Sequence, residues 1–586
     1  MPYRLRLLWP TLALVLAACG GTDRAGSDLH AIFDDDWEWT LENFPTYGTF
    51  LGDPRYNDRL SDQSLEAIGV REAYARALLE RLDKVDRGRL SPADQVNYDL
   101  FRQDTENDVA GQAFPTHLMP LNQMGGIQIN LPSLQMVTPF RTLKDYEDYL
   151  DRLAAIPGLI GQTITLMQQG LETGWVVPKV PLRSVPDQIK AQLVQDATDS
   201  PFFKPFLDYP DQVTGEHQDR LTRAGRSIIA EQILPAYEGL LGFVTDQYIP
   251  AGREDVGAWA LPDGQAYYAY RVKLMTTTDM TPDQIHQIGL EEVARIKAQM
   301  MKIVKATGFG SDFDAFTHFL RTDEQFYHDS PEALLMAYRD ICKRLDAQLP
   351  KLFGKLPRAP YGVEEIPDYE APASTTAYYR RPSADGSRPG TFFANTYNLS
   401  QRPTYEMEAL SIHEAVPGHH LQIALAQEME HMPKFRKFGG ITAFVEGWGL
   451  YSESLGTEMG FYTDPYSKFG QLSYEMWRAV RLVVDTGMHQ KKWTRQQAID
   501  FFKANTGLTE HNIISEVDRY IVWPGQALAY KIGELKIKEL RARASEELGD
   551  KFDIRQFHDV VLGQGALPLN LLEAQVTAWI EKAGLP

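Results

Sequence analysis

Two cysteines in 586 residues, Cys19 and Cys342, are too few to staple a fold, and a disulfide framework is excluded. Basic residues are also short, 59 against 79 acidic ones, for a net charge of −20. A chain this acidic is a poor partner for nucleic acid or for adsorption onto an anionic lipid surface. No apolar run reaches the roughly 20 residues that span a bilayer. Internal repeats and low-complexity tracts are missing as well. Stability must therefore come from burial, and a hydrophobic share of 43% supplies enough for a large core or two.

The first residues, "MPYRLRLLWPTLALVLAACGG", place Arg4 and Arg6 before a short apolar run that ends in Leu16-Ala17-Ala18-Cys19. A basic flank, a short hydrophobic stretch and a small-residue end are the parts of a secretory signal. The Leu-Ala-Ala-Cys end resembles a bacterial lipobox, which implies a signal peptide over 1–18 and lipid attachment to Cys19. Gly20 and Gly21, with no Asp after the Cys, point to the outer rather than the inner membrane. Loss of Arg4 and Arg6 with the signal takes the net charge to −22. The Gly/Ser/Asp-rich stretch that follows, 19–29, reads as a flexible tether.

Beyond it the pattern is chiefly helical. In "TPDQIHQIGLEEVARIKAQMMKIVKATGF", Thr281 caps with Gln284 three residues on, Pro282 opens the first turn and Gly308 marks the stop. Ile285, Ile288, Ile296, Met300 and Ile303 form one stripe. His286 has no partner at metal-ligand spacing and reads as structural. "PGTFFANTYNLS", bounded by Gly and Pro, reads as a short strand over 391–397.

The segment "SIHEAVPGHHLQ", 411–422, begins like the helix of a zinc hydrolase and then departs from it. Two His four apart share a helical face and a metal, and the Glu after the first serves as base. Here Pro417 occupies the fourth place after His413. Its ring clashes with the His413 carbonyl, and it lacks the helical N–H. In an undistorted helix His419 points about 240° away from His413, and His420 lies roughly 10 Å further along the axis. A bulge of Pro417-Gly418 returns His419 to the place of the second ligand, with a normal helix expected beyond it.

A catalytic zinc takes three protein ligands and keeps one position open. Glu446, in "ITAFVEGWGLYSE", stands among Phe444, Val445 and Trp448, where a carboxylate is costly unless paired or metal-bound. It is the expected third ligand. Glu453, on the same helical face, reads as support behind the ligands. Glu414 takes the place of the general base, moving a proton from a metal-activated water to the leaving amine. Arg519, Tyr520 and Tyr530 in "EVDRYIVWPGQALAYKIG" are candidate donors to an oxyanion. Asp485 and His489, four apart, could orient a ligand or the substrate. For these last two clusters ordinary packing is the competing reading, because a buried Tyr finds a hydrogen-bond partner for structural reasons too.

Six ordered segments, "LPDGQAYYAYRVKLMTTTDMTPDQIHQIGLEEVARI", "DGSRPGTFFANTYNLS", "HEAVPGHHLQ", "FVEGWGLYSE", "RLVVDTGMH" and "RYIVWPGQALAYKIG", resemble the domain-of-unknown-function 885 family, many of whose members are bacterial lipoproteins. Their order is also similar to that of the Glu-zincin metallopeptidases of the angiotensin-converting-enzyme and Taq-carboxypeptidase types. That resemblance implies a mainly α fold, a two-lobed helical shell around a deep cleft, with a small β-sheet beside the zinc-binding helix. It maps the Tyr that steadies the tetrahedral intermediate onto Arg519-Tyr520. It makes the strand near Phe393, Ala394 and Asn395 an edge that pairs with substrate. The Pro-Gly insertion departs from the pattern. Aligning Gly-His pairs selects His419, and aligning "HLQ" selects His420 as the alternative.

The expectation is a Zn2+-dependent peptidase formed by residues 30–586, with the core of the site over 389–533. It acts on peptides in the periplasm and touches the membrane only through its lipid. One alternative is a zinc amide hydrolase acting on cell-wall peptides. Another, of a different class, is a peptide-binding or structural lipoprotein with a vestigial metal site.

Overall fold

A computed structural model describes residues 13–367, 371, 374–383 and 388–585, with side chains from Arg24 onward. The signal residues 1–12 and the side chain of Cys19 lie outside the described part. The helix Ala13–Asn43 runs through the segment expected as a flexible tether. From Arg24 onward the reason is an apolar stripe: Leu29, Ile32 and Phe33 pack on Leu78, Leu82, Tyr98 and Phe101 of the helices Leu65–Leu82 and Pro92–Gly111. A segment that buries Leu29 completely is not a free linker.

A second apolar cluster forms between the helices Leu143–Thr173, Gly215–Ile228 and Leu234–Phe243, around Tyr149, Ile156, Tyr237 and Leu240. The rest of the chain builds the part that positions the site. Its first long helix, α1 (Pro282–Ala306), starts with the reciprocal capping of Thr281 and Gln284 that its sequence calls for. Ile285, Ile296 and Met300 are buried, and His286 spends Nδ1 on Thr486 at 2.8 Å, a structural bond.

Three strands follow: β1 (Tyr361–Glu365), β2 (Ala377–Arg380) and β3 (Gly390–Ala394). The order is β1-β3-β2, with β3 parallel to β1 and antiparallel to β2. This corrects the expected edge. Phe393 and Ala394 lie in the middle strand, with their backbone committed on both sides, and Asn395 lies just past its end. Asn395 donates to the carbonyls of Ala371 and Thr375 and tethers the loop between β1 and β2. All five residues of β3 are buried, as suits a strand covered on both faces. The outer strands are β1 and β2.

The helices after the sheet are α2 (Met407–Glu414), α3 (His419–Gln427), α4 (Thr442–Leu455), α5 (Pro465–His489), α6 (Glu510–Val522) and α7 (Ala529–Leu548). Asp464 caps α5 by accepting from the amides of Tyr466 and Ser467. From Ser467 onward α5 is buried almost all round, between α1 and the helices of the site. The crossing of α4 and α7 rests on two glycines: a Cβ at Gly447 would stand 2.5 Å from the Gly533 Cα, and one at Gly533 would stand 1.9 Å from the Ala443 carbonyl oxygen. Only bare backbone fits there. The fold is mainly α with one small sheet, and among the described residues no helix is long and apolar enough to cross a membrane.

Candidate metal centre

The helix breaks where Pro417 predicts trouble, but not as a bulge. α2 ends at Glu414, α3 begins at His419, and 415–418 form a turn that includes a cis Val416–Pro417 bond. Pro417 has no N–H to continue the ladder. The Gly418 amide reaches back to the Ile412 carbonyl at 2.9 Å, and the His420 amide to that of Ala415 at 3.0 Å, wider loops than the helical four-residue step. Helix α4 holds the turn from outside, the Trp448 indole donating to the Pro417 carbonyl at 2.8 Å. A Cβ at Gly418 would lie 2.0 Å from the His413 carbonyl oxygen, so the turn closes only on glycine.

The break carries His419 to His413. Their rings stand 4.6 Å apart at 85°, and both Nε2 atoms lie 3.6 Å from Glu446 Oε2. One ligand atom from each of the three residues falls within 4.8 Å of the others. Ligands about 2.0 to 2.2 Å from a tetrahedral ion stand roughly 3.4 Å apart, so this two-nitrogen, one-oxygen set fits zinc. His413 Nδ1 bonds Glu453 Oε1 at 2.8 Å, which turns its Nε2 toward the cluster. Gly449 makes room for that ring, since a Cβ there would meet its Cε1 at 2.7 Å. His420 points elsewhere, its Nδ1 on the Tyr379 hydroxyl and its Nε2 on the Ala359 carbonyl.

Electrostatics follow from burial without bulk water. Desolvation works against the His413 imidazolium, yet Glu446 and Glu453 outweigh it and hold the group up at about 9. Glu446 is driven down to about 2 against its own burial, chiefly by the neighbouring His413 and His419. His419 falls to about 4 through burial and the neighbouring His413 charge. Burial lifts Glu414 to about 7. Its side chain has no hydrogen bond or ion pair among the described residues. The cluster meets solvent at Glu446, whose side chain is 21% exposed. The broad surface clefts, of about 670 and 430 Å³, have walls made of other residues.

The later motifs land beside this centre in different ways. The Tyr520 hydroxyl bonds Glu516 at 2.5 Å and accepts from Arg481 at 2.9 Å and Trp477 at 3.2 Å. Arg519 bonds Glu516 at 2.8 Å. Tyr530 is half-buried under the Arg481 guanidinium. Asp485 binds the Tyr268 hydroxyl at 2.5 Å and the Gly525 amide, which pins the turn after α6. His489 takes the Ala258 amide on Nδ1 at 2.9 Å and gives Nε2 to the Tyr520 carbonyl at 3.0 Å. Both its nitrogens serve the backbone, so it positions Tyr520 instead of meeting a substrate. Sequence reasoning missed Arg478, Arg481 and Glu516. The signal was present in "MWRAVRLVV", where two arginines one turn apart sit among residues suited only to a buried helix.

His489 also supplies a pH test. Burial lowers it from 6.5 to about 4, so above pH 6.5 folded and unfolded chains are both neutral there. As pH falls from 6.5 toward 4 the unfolded chain takes a proton that the folded one refuses, and stability is lost. Replacing His489 by Gln, which keeps one donor and one acceptor, should remove that dependence. The stability of the wild type relative to His489→Gln is expected to drop by about 1.4 kcal/mol per pH unit across that window, followed by denaturant melts. A constant difference would place the protonation elsewhere.

A mainly helical protein with a cluster of two buried histidines and one half-buried glutamate is the class that fold and site define. The family model described as a bacterial protein of unknown function, DUF885, matches residues 45–576, and the chain belongs to that family. Among solved structures it is similar to a proposed lipoprotein from Colwellia psychrerythraea, at 30% identity and a TM-score of 0.90, over 95% of this chain and 99% of that one. A proposed lipoprotein of unknown function from Shewanella oneidensis shares the fold at 17% identity and a TM-score of 0.75, over 94% and 99% of the two chains. No curated protein matches the chain.

Proposed function

We propose that the chain is a zinc-dependent peptidase of the cell envelope, anchored through lipid on Cys19 and facing the periplasm. The observation that carries the reading is the convergence of His413, His419 and Glu446, with Glu414 next to the first ligand and Glu453 behind it. When bound, the ion supplies Lewis acidity toward water and the peptide carbonyl. Glu414 takes a proton and delivers it to the leaving amine, a task suited to a carboxyl that burial brings near neutrality. Glu453 fixes the ring and tautomer of His413 so that Nε2 faces the metal. The Tyr520 proton is engaged with Glu516, so Tyr520 acts through the Arg481 network, and Tyr530 is the freer donor toward an oxyanion. Of the outer strands, β2 packs on α2 and offers the rail for an extended peptide backbone.

The deciding experiment is metal analysis of the purified mature protein together with a peptide-library digest read by mass spectrometry. Stoichiometric zinc and chelator-sensitive cleavage are expected. Absence of both would remove the reading. The anchor has its own check. Cys19→Ala should shift the protein from the membrane to the soluble fraction with turnover unchanged, and unaltered fractionation would exclude lipidation there.

A further inference from the structure

Helix α5 brings two arginines to the cluster with donors left over. Arg478 and Arg481 are 6% and 3% exposed. Arg481 gives Nε to the Tyr520 hydroxyl at 2.9 Å and Nη2 to Glu516 at 3.1 Å, while its buried Nη1 has no partner among the described residues. Arg478 makes a long 3.4 Å bond to the Tyr474 carbonyl and lies 4.0 Å from Glu453 Oε1. Its Nε is buried and unpartnered too. The Trp477 ring lies between the two guanidinium groups, 4.8 Å from Arg478 and 4.7 Å from Arg481, and the Tyr530 ring covers Arg481 at 4.3 Å. Aromatic faces soften the burial of a cation but do not take its N–H groups. A buried donor left unpaired is costly, and a guanidinium fork is shaped for a carboxylate.

The place is the metal cluster. Glu453, the neighbour of Arg478, is the carboxylate bonded to His413. The positive charge of Arg478 acts on Glu414 and His419, and that of Arg481 on Glu446. The acids of this cluster are Glu414, Glu446, Glu453 and Glu516, and its fixed cations are Arg478, Arg481 and Arg519. Glu406, which burial lifts to about 7, also lies in the field of Arg402 and Arg478.

We propose that Arg478 and Arg481 form a seat for a substrate carboxylate beside the metal, so that the enzyme selects peptides bearing either a free C-terminal carboxylate or an acidic side chain near the scissile bond. This rests on the peptidase reading above. The two arginines then determine specificity by direct contact, Arg478 through Nε and Arg481 through Nη1, after a small shift of the covering Tyr530 ring.

The test uses the metal-loaded mature protein and one peptide sequence in four forms, its C-terminus free or amidated and its side chains neutral or acidic. Forms carrying a carboxylate should be cut roughly tenfold faster or more than the neutral amide, the worth of one charge-assisted hydrogen bond. An advantage of the free acid identifies the terminal carboxylate, and an advantage of the acidic amide identifies the side chain. Cleavage of all four at equal rates overturns the seat and leaves the peptidase reading in place. If nothing is cut, the peptidase reading falls, and calorimetry of the same peptides still decides: tighter binding of the carboxylate forms sustains the seat, and equal binding ends it. Arg478→Gln should bring the ratio between acid and amide toward one, and Arg478→Lys should restore part of it. A merely structural arginine would slow both substrates and leave their ratio alone.

Discussion

Glu414→Gln is expected to keep the metal and the fold while losing about two orders of magnitude or more in turnover. Glu414 ends α2 directly after His413, is 8% exposed and makes no side-chain hydrogen bond among the described residues. Its amide replacement therefore breaks no structural contact and removes only the ability to take a proton. Zinc content, circular dichroism and peptide turnover on the same preparation separate the possibilities. Turnover near that of the wild type would exclude Glu414 from the chemistry. Loss of zinc would make it a ligand instead of a base.

His419→Ala and His420→Ala should part company completely. His419 supplies one of three converging atoms, and its removal should weaken zinc binding by more than the 10- to 100-fold typical of deleting an outer partner. His420 joins the Tyr379 hydroxyl to the Ala359 carbonyl. Its loss should leave zinc in place and cost about 1 to 2 kcal/mol of stability, because two half-buried groups lose their partner. Metal content after dialysis and thermal melts read the two effects independently. Zinc lost from His420→Ala and kept by His419→Ala would reverse the assignment. Zinc kept by both would dissolve the three-residue site.

Much of the centre was legible because its chemistry is local. Glu414 follows His413 in the chain, and no fold could separate them. Glu446 betrayed itself as an acid among Phe444, Val445 and Trp448, a position that burial makes untenable without a partner. Pro417 announced a broken ladder, since a missing N–H is a property of the residue. How the ladder breaks was not local. A two-residue bulge and a full break both return His419 to His413, and the break is held by the Trp448 indole on the Pro417 carbonyl, a contact made from another helix. Leu29 shows the same limit. In a stretch rich in Gly, Ser and Asp it reads as linker, and only its partners on two later helices make it core.

The sequence by itself determined the helical class, the residue types able to bind a metal, the adjacency of His413 and Glu414, and the lack of any disulfide. Each is a matter of composition, period or neighbours in the chain. Tertiary structure alone decided which strand lies in the middle of the sheet, because β3 reads the same whether one side or both are paired. It decided that His489 serves the backbone of Tyr520, since that bond joins residues 31 apart. It also decided that Arg478 and Arg481 turn toward the cluster of His413, His419 and Glu446. On a helix buried all round, every face is apolar enough to hide the sequence signal for direction, and the partners that fix it come from helices far along the chain.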